Sequence, residues 1–489
     1  MTRRSYSAAL LAGLAALAGA GWLMHARQRV RNEGPRIALV DLQPGPGMGA
    51  AEAMALGVII QDHLETLGDA PVVSMPEPPL RFPPSRGPAF LIRGTASRQG
   101  DLLGLEYRWC RLEGTSPEGA AWTPISVPPS PPAQAVQQLL GQLPVRLAPS
   151  GATLLPNSPP AFWDLLRATG SLFTNTSVED AVMVGHRAMK DAPDCATAHF
   201  TVAILSYHQM LEDPTPFDTA SDLVDAAFRK GLDLAPNHPR GLMQYCRTKS
   251  DAGRQKEALE LLKPAFKRHP SSIDLLWALD YAARTSGLLD LAVASRRRMN
   301  EVHDLTGRAQ PLAYAYLYAG RLDLFEQSLW ESRSSMENAL IFLERGYLFL
   351  IKGDRAAAHA AFQRAEHEAA AQKHVSLLAK CFRLQLEDRS AEARASLAEL
   401  DRQRTGMRVP DGEFTFSMAE AAAFQGEEGL AMDLAHRAFS QGFACAAWYE
   451  HSPLLRSLQA LPRWKALLQH VRERQARLEA QFAAKDFGL

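Results

Sequence analysis

The apolar positions in the second half of the chain fall on helical faces that a turn interrupts at regular intervals. In residues 339–369, Phe342, Gly346 and Phe349 share one face of a first helix, and Ala358, Phe362 and Ala365 share one face of a second. Gly353 stands between them and ends the first helix, because glycine takes the left-handed conformation of a C-cap without a Cβ clash. The small residues Gly346, Ala358 and Ala365 let the two helices approach closely, and Phe349 and Phe362 fill the space left between them. A small or turn-forming residue followed by alanine recurs as Gly253 with Ala258, Gly287 with Ala292, Gly353 with Ala358 and Gly426 with Ala431. Gly320 with Phe325 and Asp388 with Ala393 are degraded copies, and the successive steps are 34, 33, 33, 35 and 38 residues. A period of about 34 predicts stacked helix–turn–helix units rather than one compact core.

Small and large residues at these offsets resemble the tetratricopeptide (TPR) repeat. Further partial copies are Ala258, Ala265 and Pro270; Ala292 and Met299; and Ala431 and Ala438. Upstream, Ala181, Ala188 and Pro193 and then Phe228, Gly231 and Pro236 are looser, with a Pro/Asp-rich insert near residues 213–218. The expectation is a TPR array of about seven to eight repeats over residues 161–443. After it, Trp448, Pro453, Leu455, Leu458, Pro462 and Trp464 break the period, as a helical cap on the open apolar end would, and residues 465–485 read as a charged, solvated helix.

Residues 35–149 carry a different pattern. Residues 36–42 and 72–74 read as strands, residues 50–67 as an amphipathic helix with Ala53, Leu56, Ile60 and Leu64 on one side, and residues 133–143 as a short helix. Residues 89–94 and 102–110 read as paired strands joined at Gln99-Gly100-Asp101, and residues 113–122 carry a turn and the start of another strand. This order, β-α-β-β-β-α, predicts a small α/β domain, and Pro144, Pro149, Ser150 and Gly151 mark a linker that ends near residue 160. The first strand RIALVDL, the helix ALGVIIQDHLETL and the hairpin FLIRGTASRQGDLLGLEYRWCRLEGT resemble the TolB amino-terminal-like domain. That resemblance implies a non-enzymatic sensing or docking module of the kind found beside TPR arrays in CadC-related bacterial membrane regulators. Those regulators carry a DNA-binding or kinase domain ahead of the membrane segment, whereas only residues 1–7 precede it here, so DNA binding does not carry over.

Residues 8–24 contain no charge and follow Arg3 and Arg4, which suits either a membrane anchor or a cleaved signal segment ending near Ala18-Gly19-Ala20. Arg27, Arg29 and Arg31 follow directly, and Trp22 suits a membrane–water interface. The fold class expected is therefore mainly α: a TPR-type α-solenoid preceded by a membrane anchor and a small α/β domain. The body is expected on the periplasmic side of an inner membrane, with a cleaved periplasmic form or a cytoplasmic-facing form as alternatives.

Composition narrows the chemistry. The 489 residues carry 53 basic and 53 acidic side chains, which argues against a nucleic-acid footprint, and the five cysteines form no C-x-x-C pair. Cys246 occupies a small-residue position and reads as a buried thiol. The glycines at 45, 47 and 49 lack dinucleotide-binding spacing and read as a tight turn, and His359 and His367 lie too far apart for one metal. No catalytic, cofactor or metal motif emerges. Arg296-Arg297-Arg298 reads as a solvated helix face or an anion contact. The expected partner is a protein or peptide, held at exposed positions of the first helices: Tyr245, Arg247, Tyr281, Arg284, Tyr314, Tyr318 and Arg345. A regulatory subunit facing the cytoplasm is the alternative function, and an enzyme with an unrecognised site the remote one.

Overall fold

A computed structural model describes residues 36–68, 72–75, 89–112, 120–145, 147, 151–174, 177–212, 218–303, 313–331, 339–368, 373–405, 407 and 410–489. The apolar segment 8–24 and the core of the insert at 213–217 lie outside the described residues. Among the described residues no helix is long and apolar enough to cross a membrane.

The strands are β1 (Arg36–Val40), β2 (Gln43–Pro44), β3 (Val72–Met75), β4 (Ala89–Gln99), β5 (Leu102–Leu112) and β6 (Thr123–Ser130). They form one sheet in the order β3-β1-β4-β5-β6, with β2 pairing β4. β1 is parallel to both β3 and β4, whereas β4, β5 and β6 run antiparallel. A central strand is buried on both faces, which is why β1 reads as an unbroken apolar run. Ile37 and Leu39 face helices α1 (Ala50–Leu67) and α2 (Pro132–Gln142), while Ala38 and Val40 meet Leu91, Cys110 and Trp122 on the other side. The turn from β2 into α1 needs Gly47 at φ +76°, because a Cβ there would sit 2.3 Å from the Arg98 carbonyl oxygen.

Among the described residues, sixteen helices then pair into eight hairpins: α3/α4 (Pro159–Gly170, Val178–Asp191), α5/α6 (Ala196–Glu212, Asp218–Leu234), α7/α8 (Pro239–Asp251, Gln255–Phe266) and α9/α10 (Ile273–Thr285, Leu289–His303), followed by α11/α12 (Tyr314–Tyr318, Leu322–Glu331), α13/α14 (Ala339–Ile351, Arg355–His367), α15/α16 (Lys373–Leu386, Ser390–Arg404) and α17/α18 (Gly412–Phe424, Glu428–Ser440). The repeat signature has one structural meaning. Gly253, Gly287, Gly320, Gly353 and Gly426 all have positive φ, and at the degraded copy Asp388 takes the same conformation at 59°. In the sixth hairpin the Asp354 N–H returns to the Phe349 carbonyl, which closes a Schellman turn at Gly353. Ala258, Ala292, Ala358 and Ala431 are fully buried where second helix meets first. Gly346 is obligatory for contact, because a Cβ there would lie 2.6 Å from the Phe362 ring, which itself stacks on Phe382.

Two expectations need correction. The proline-rich stretch up to residue 160 contributes packing: Leu154 and Leu155 are buried, and the Leu154 carbonyl accepts a 2.7 Å hydrogen bond from Thr197 Oγ1. Burial of a leucine contributes about 1.5–3 kcal/mol, so the two together offset the ordering of roughly three residues of the connector. As a result the α/β core runs into the first hairpin through Phe162, Trp163, Leu165 and Leu166. The helix α20 (Pro462–Glu479, after α19, Ala446–His451) buries Trp464 as the expected cap would, but its part beyond residue 465, expected to be solvated, also buries Leu467, Val471 and Leu478. Spacings of three, four and seven put these on one stripe, hidden in the sequence by the charges around it.

The array also turns back on itself. The Ala444 N–H donates to the Thr285 carbonyl at 2.7 Å, the Asp411 N–H to the Asp251 carbonyl at 3.3 Å, and Gln255 Nε2 to the Gly442 carbonyl at 3.0 Å. A Cβ on Gly442 would sit 2.5 Å from the Gly253 Cα. The eighth hairpin and the segment after it therefore close against the third and fourth hairpins.

Candidate functional site on the inner face of the array

Closure brings the first helices of the hairpins around a shared interior, and polar side chains fill it. Asp251, at the end of α7, accepts hydrogen bonds from the hydroxyls of Tyr207 on α5 and Tyr281 on α9. Arg247, one turn earlier on α7, lies 3.8 Å from the same carboxylate and over the rings of Tyr207 and Trp277. Arg284 on α9 makes a fork to Glu413 on α17: Nε to Oε1 and Nη2 to Oε2, both 2.9 Å. Its third nitrogen, Nη1, donates to Asp280 Oδ2 at 3.2 Å, and Arg296 Nη2 reaches the same oxygen at 3.0 Å. Tyr318 Oη donates to Glu413 Oε1 and Tyr314 Oη to Glu344 Oε1. Ser452 Oγ donates to Glu420 at 2.6 Å.

The electrostatics follow from burial. Low dielectric disfavours a charged carboxylate, so Glu344 is pushed up to about 8 and Glu420 to about 7. Burial, and then the neighbouring charges of Asp251 and Glu413, raise Asp411 to about 7. Asp251 rises as well, burial outweighing the pull of Arg247. His208 falls to about 4 through burial and the nearby Arg247. The interior thus holds carboxyl groups able to donate a proton in a hydrogen bond, beside permanently charged guanidinium groups. Arg247 keeps 31% of its side chain accessible between two aromatic rings, so it can grip an anionic group that enters.

The residues expected to be exposed on the first helices are placed inward. Tyr245 stacks on Phe228 and donates to Asp225 Oδ1 at 2.6 Å, which makes it core of the second and third hairpins. Tyr281, Arg284 and Tyr318 are buried in the network above, and Tyr314 is half-buried in it. Arg345 is half-buried over Trp330 at 4.6 Å. Of the three arginines among the seven, Arg247 and Arg345 are half-buried and Arg284 is buried, and the two half-buried ones lie over different rings. For Arg284 and Tyr318, which meet Glu413, the reason is closure: positions that line an open groove become an interior when the eighth hairpin returns. Arg296 corrects the solvated reading of the basic run, being buried against Asp280. His359 meets Glu387 at 2.8 Å rather than His367.

Sequence reasoning missed the carboxylates that organise this interior: Asp251, Asp280, Glu344, Asp411, Glu413 and Glu420. A signal existed for two of them. Asp280 and Glu420 are solitary charges inside the apolar stretches at 275–283 and 414–424. A buried charge survives only with a partner, so each implied a cation or hydroxyl opposite.

A second polar cluster lies where α1 meets α7. His238 Nδ1 accepts the Gly241 N–H at 3.1 Å, capping α7, which leaves the proton on Nε2, 3.8 Å from Asp62 Oδ2. Burial raises Asp62 to about 7 and lowers His238 to about 3.

No family model matches the sequence, and no curated protein matches it. Among solved structures the chain is similar to yeast Tom70, at 13% identity and a TM-score of 0.35, covering 65% of each chain. It is also similar to the TPR domain of P58(IPK), at 12% identity and a TM-score of 0.19, covering 65% of this chain and 98% of that one. The chain thus spans 65% of the length of the Tom70 structure. Its description as a mainly helical, TPR-like solenoid rests on its own hairpins, turns and period.

Proposed function

We propose that this chain is a non-enzymatic, membrane-anchored adaptor or sensor component of a bacterial envelope, whose array takes up a protein or peptide partner. The observation that carries this reading is the inner face, where Arg247 stands accessible between Tyr207 and Trp277 above a buried Tyr–carboxylate network. Aromatic and arginine side chains on rigid helices supply contact area and charge at small entropic cost, which is what a recognition surface requires. The sheet order and the two covering helices support reading residues 35–149 as a TolB amino-terminal-like docking module. The charge-free segment 8–24 supports an anchor.

Photo-crosslinking tests the reading. A crosslinking residue placed at Trp277 in the intact envelope is expected to yield a discrete protein adduct that Arg247→Glu abolishes. Absence of any adduct, with the protein folded and inserted, removes the adaptor assignment. Arg27, Arg29 and Arg31 favour a second reading, a regulatory subunit facing the cytoplasm. A C-terminal reporter active only outside the cytoplasm eliminates it.

A further inference from the structure

Among the described residues of the closed array, two of its apolar cores share one helix. Residues 313–471 supply one core, which includes Trp464, Leu467 and Val471 from the first half of α20. The third and fourth hairpins supply the other, and it includes Leu478, Phe482 and Phe487 from the end of α20 and the tail. The Phe487 ring meets Phe266 edge-on at 5.7 Å, and Lys263 Nζ lies 3.3 Å from Asp486 Oδ1. Midway along, Arg474 spans the seam, donating from Nη1 to the Phe439 carbonyl at 3.0 Å and from Nη2 to the Gly253 carbonyl at 3.1 Å. Gln475 accepts the Ala446 N–H at 3.0 Å, and its Oε1 would lie 2.1 Å from a Cβ on Gly287.

Beneath this helix the seam is held by polar contacts: the Arg284–Glu413 fork and the hydrogen bonds across Asp251–Asp411, Thr285–Ala444 and Gln255–Gly442. Apart from the charged Arg284–Glu413 fork, these are hydrogen bonds between neutral groups, which exchange with water at small net cost, whereas apolar docking of two phenylalanines does not. Leu289 and Val293 of α10 also touch the core of residues 313–471, and the tail adds the apolar docking of Leu478, Phe482 and Phe487 on the third and fourth hairpins, so its release weakens closure.

We infer that residues 478–489 act as a detachable strap: docked on the third and fourth hairpins they hold the array shut, and their release opens the seam and gives access to the inner face. The hairpins on either side stay folded, because each keeps its own core. This deepens the adaptor reading by stating how its inner face is reached. The seam can be followed without any partner, so the strap can fail while the adaptor survives, and the reverse.

Hydrogen exchange read at single amides tests it in the full chain. The N–H groups of Asp411 and Ala444 donate across the seam, so their exchange reports its opening; those of Asp486 and Leu489 report the tail. In Phe482→Ser/Phe487→Ser the tail amides are expected to exchange freely, and the Asp411 and Ala444 amides at least about 10-fold faster. Amides of α13 and α15 are expected to keep their wild-type rates. The milder variant Lys263→Glu leaves the cores untouched; it is expected to give the same pattern at smaller amplitude, with rescue by Asp486→Lys. A released tail with unchanged seam amides overturns the strap. A uniform rise across α13 and α15 in the double variant also overturns it, because the tail is then one part of a single core. Lack of any seam response or charge-swap rescue in the Lys263 series counts against it in the same way.

Discussion

Replacing Arg284 by alanine tests the claim that closure, rather than an open groove, fixes the role of the first-helix residues. The side chain makes three charge-assisted hydrogen bonds, two to Glu413 at 2.9 Å and one to Asp280 at 3.2 Å, with only 6% of its surface exposed. At about 1.5–3 kcal/mol each, a simple sum would reach about 4.5–9 kcal/mol. That sum overshoots, because neither carboxylate is abandoned: Glu413 keeps the Tyr318 hydroxyl and Asp280 keeps Arg296. Removing one partner of a buried pair costs about 3–5 kcal/mol, and that is the magnitude expected here. Arg284→Lys retains the charge but loses the fork, so it is expected to cost roughly 2 kcal/mol. Arg254 provides the control, since its pair with Glu257 has both side chains more than 40% exposed, and Arg254→Ala is expected to cost less than about 1 kcal/mol. Cooperativity breaks down along repeat arrays, so a single melting curve is a poor measure. Opening free energies from native-state hydrogen exchange in α9 and α17 are the suitable assay. In a cycle with Glu413→Ala the coupling energy is expected near 2 kcal/mol. Arg284→Ala no more damaging than Arg254→Ala would show that water fills the interior and that the network contributes nothing.

Three further outcomes follow from the same geometry. Gly346→Ala should destabilise by about 1–3 kcal/mol, because its methyl group would meet the Phe362 ring at 2.6 Å, whereas Gly429→Ala, open to solvent in α18, should stabilise by up to about 1 kcal/mol; native-state hydrogen exchange in α13 and α18 separates the signs. Burial raises Glu344 to about 8 from an ordinary 4.5, against the smaller effect of the Tyr314 hydrogen bond, with the Glu413 and Glu420 charges raising it further and Arg284 lowering it. Between about pH 4.5 and 8 the folded state therefore holds a proton that the unfolded chain has released, so stability falls as pH rises; Glu344→Gln keeps an acceptor for Tyr314 and should flatten that slope in pH-dependent unfolding. All five cysteines are buried and free, and burial pushes Cys195 to about 11 and Cys381 and Cys445 to about 12, so a thiol reagent near pH 8 should label none of them until denaturant is added.

Local interactions made much of this protein legible in its sequence. Positive-φ glycines, small residues at helix contacts and a repeating apolar face act within about 34 residues, so the hairpins and their period could be read from one copy and extended to the others. The α/β pattern was equally local: β1 is apolar throughout because it is central, and the β4–β5 turn falls at Gly100 because the chain reverses there. Tertiary structure alone decided what those faces meet. Arg284 and Glu413 stand 129 positions apart, and nothing in either neighbourhood states that the array returns on itself. Curvature adds a small rotation at each hairpin, and only its sum brings the eighth hairpin against the third and fourth. That sum turned expected surface positions into an interior, made a charged C-terminal helix into a bridge between two cores, and left Arg247 as the accessible cation of the Asp251 cluster.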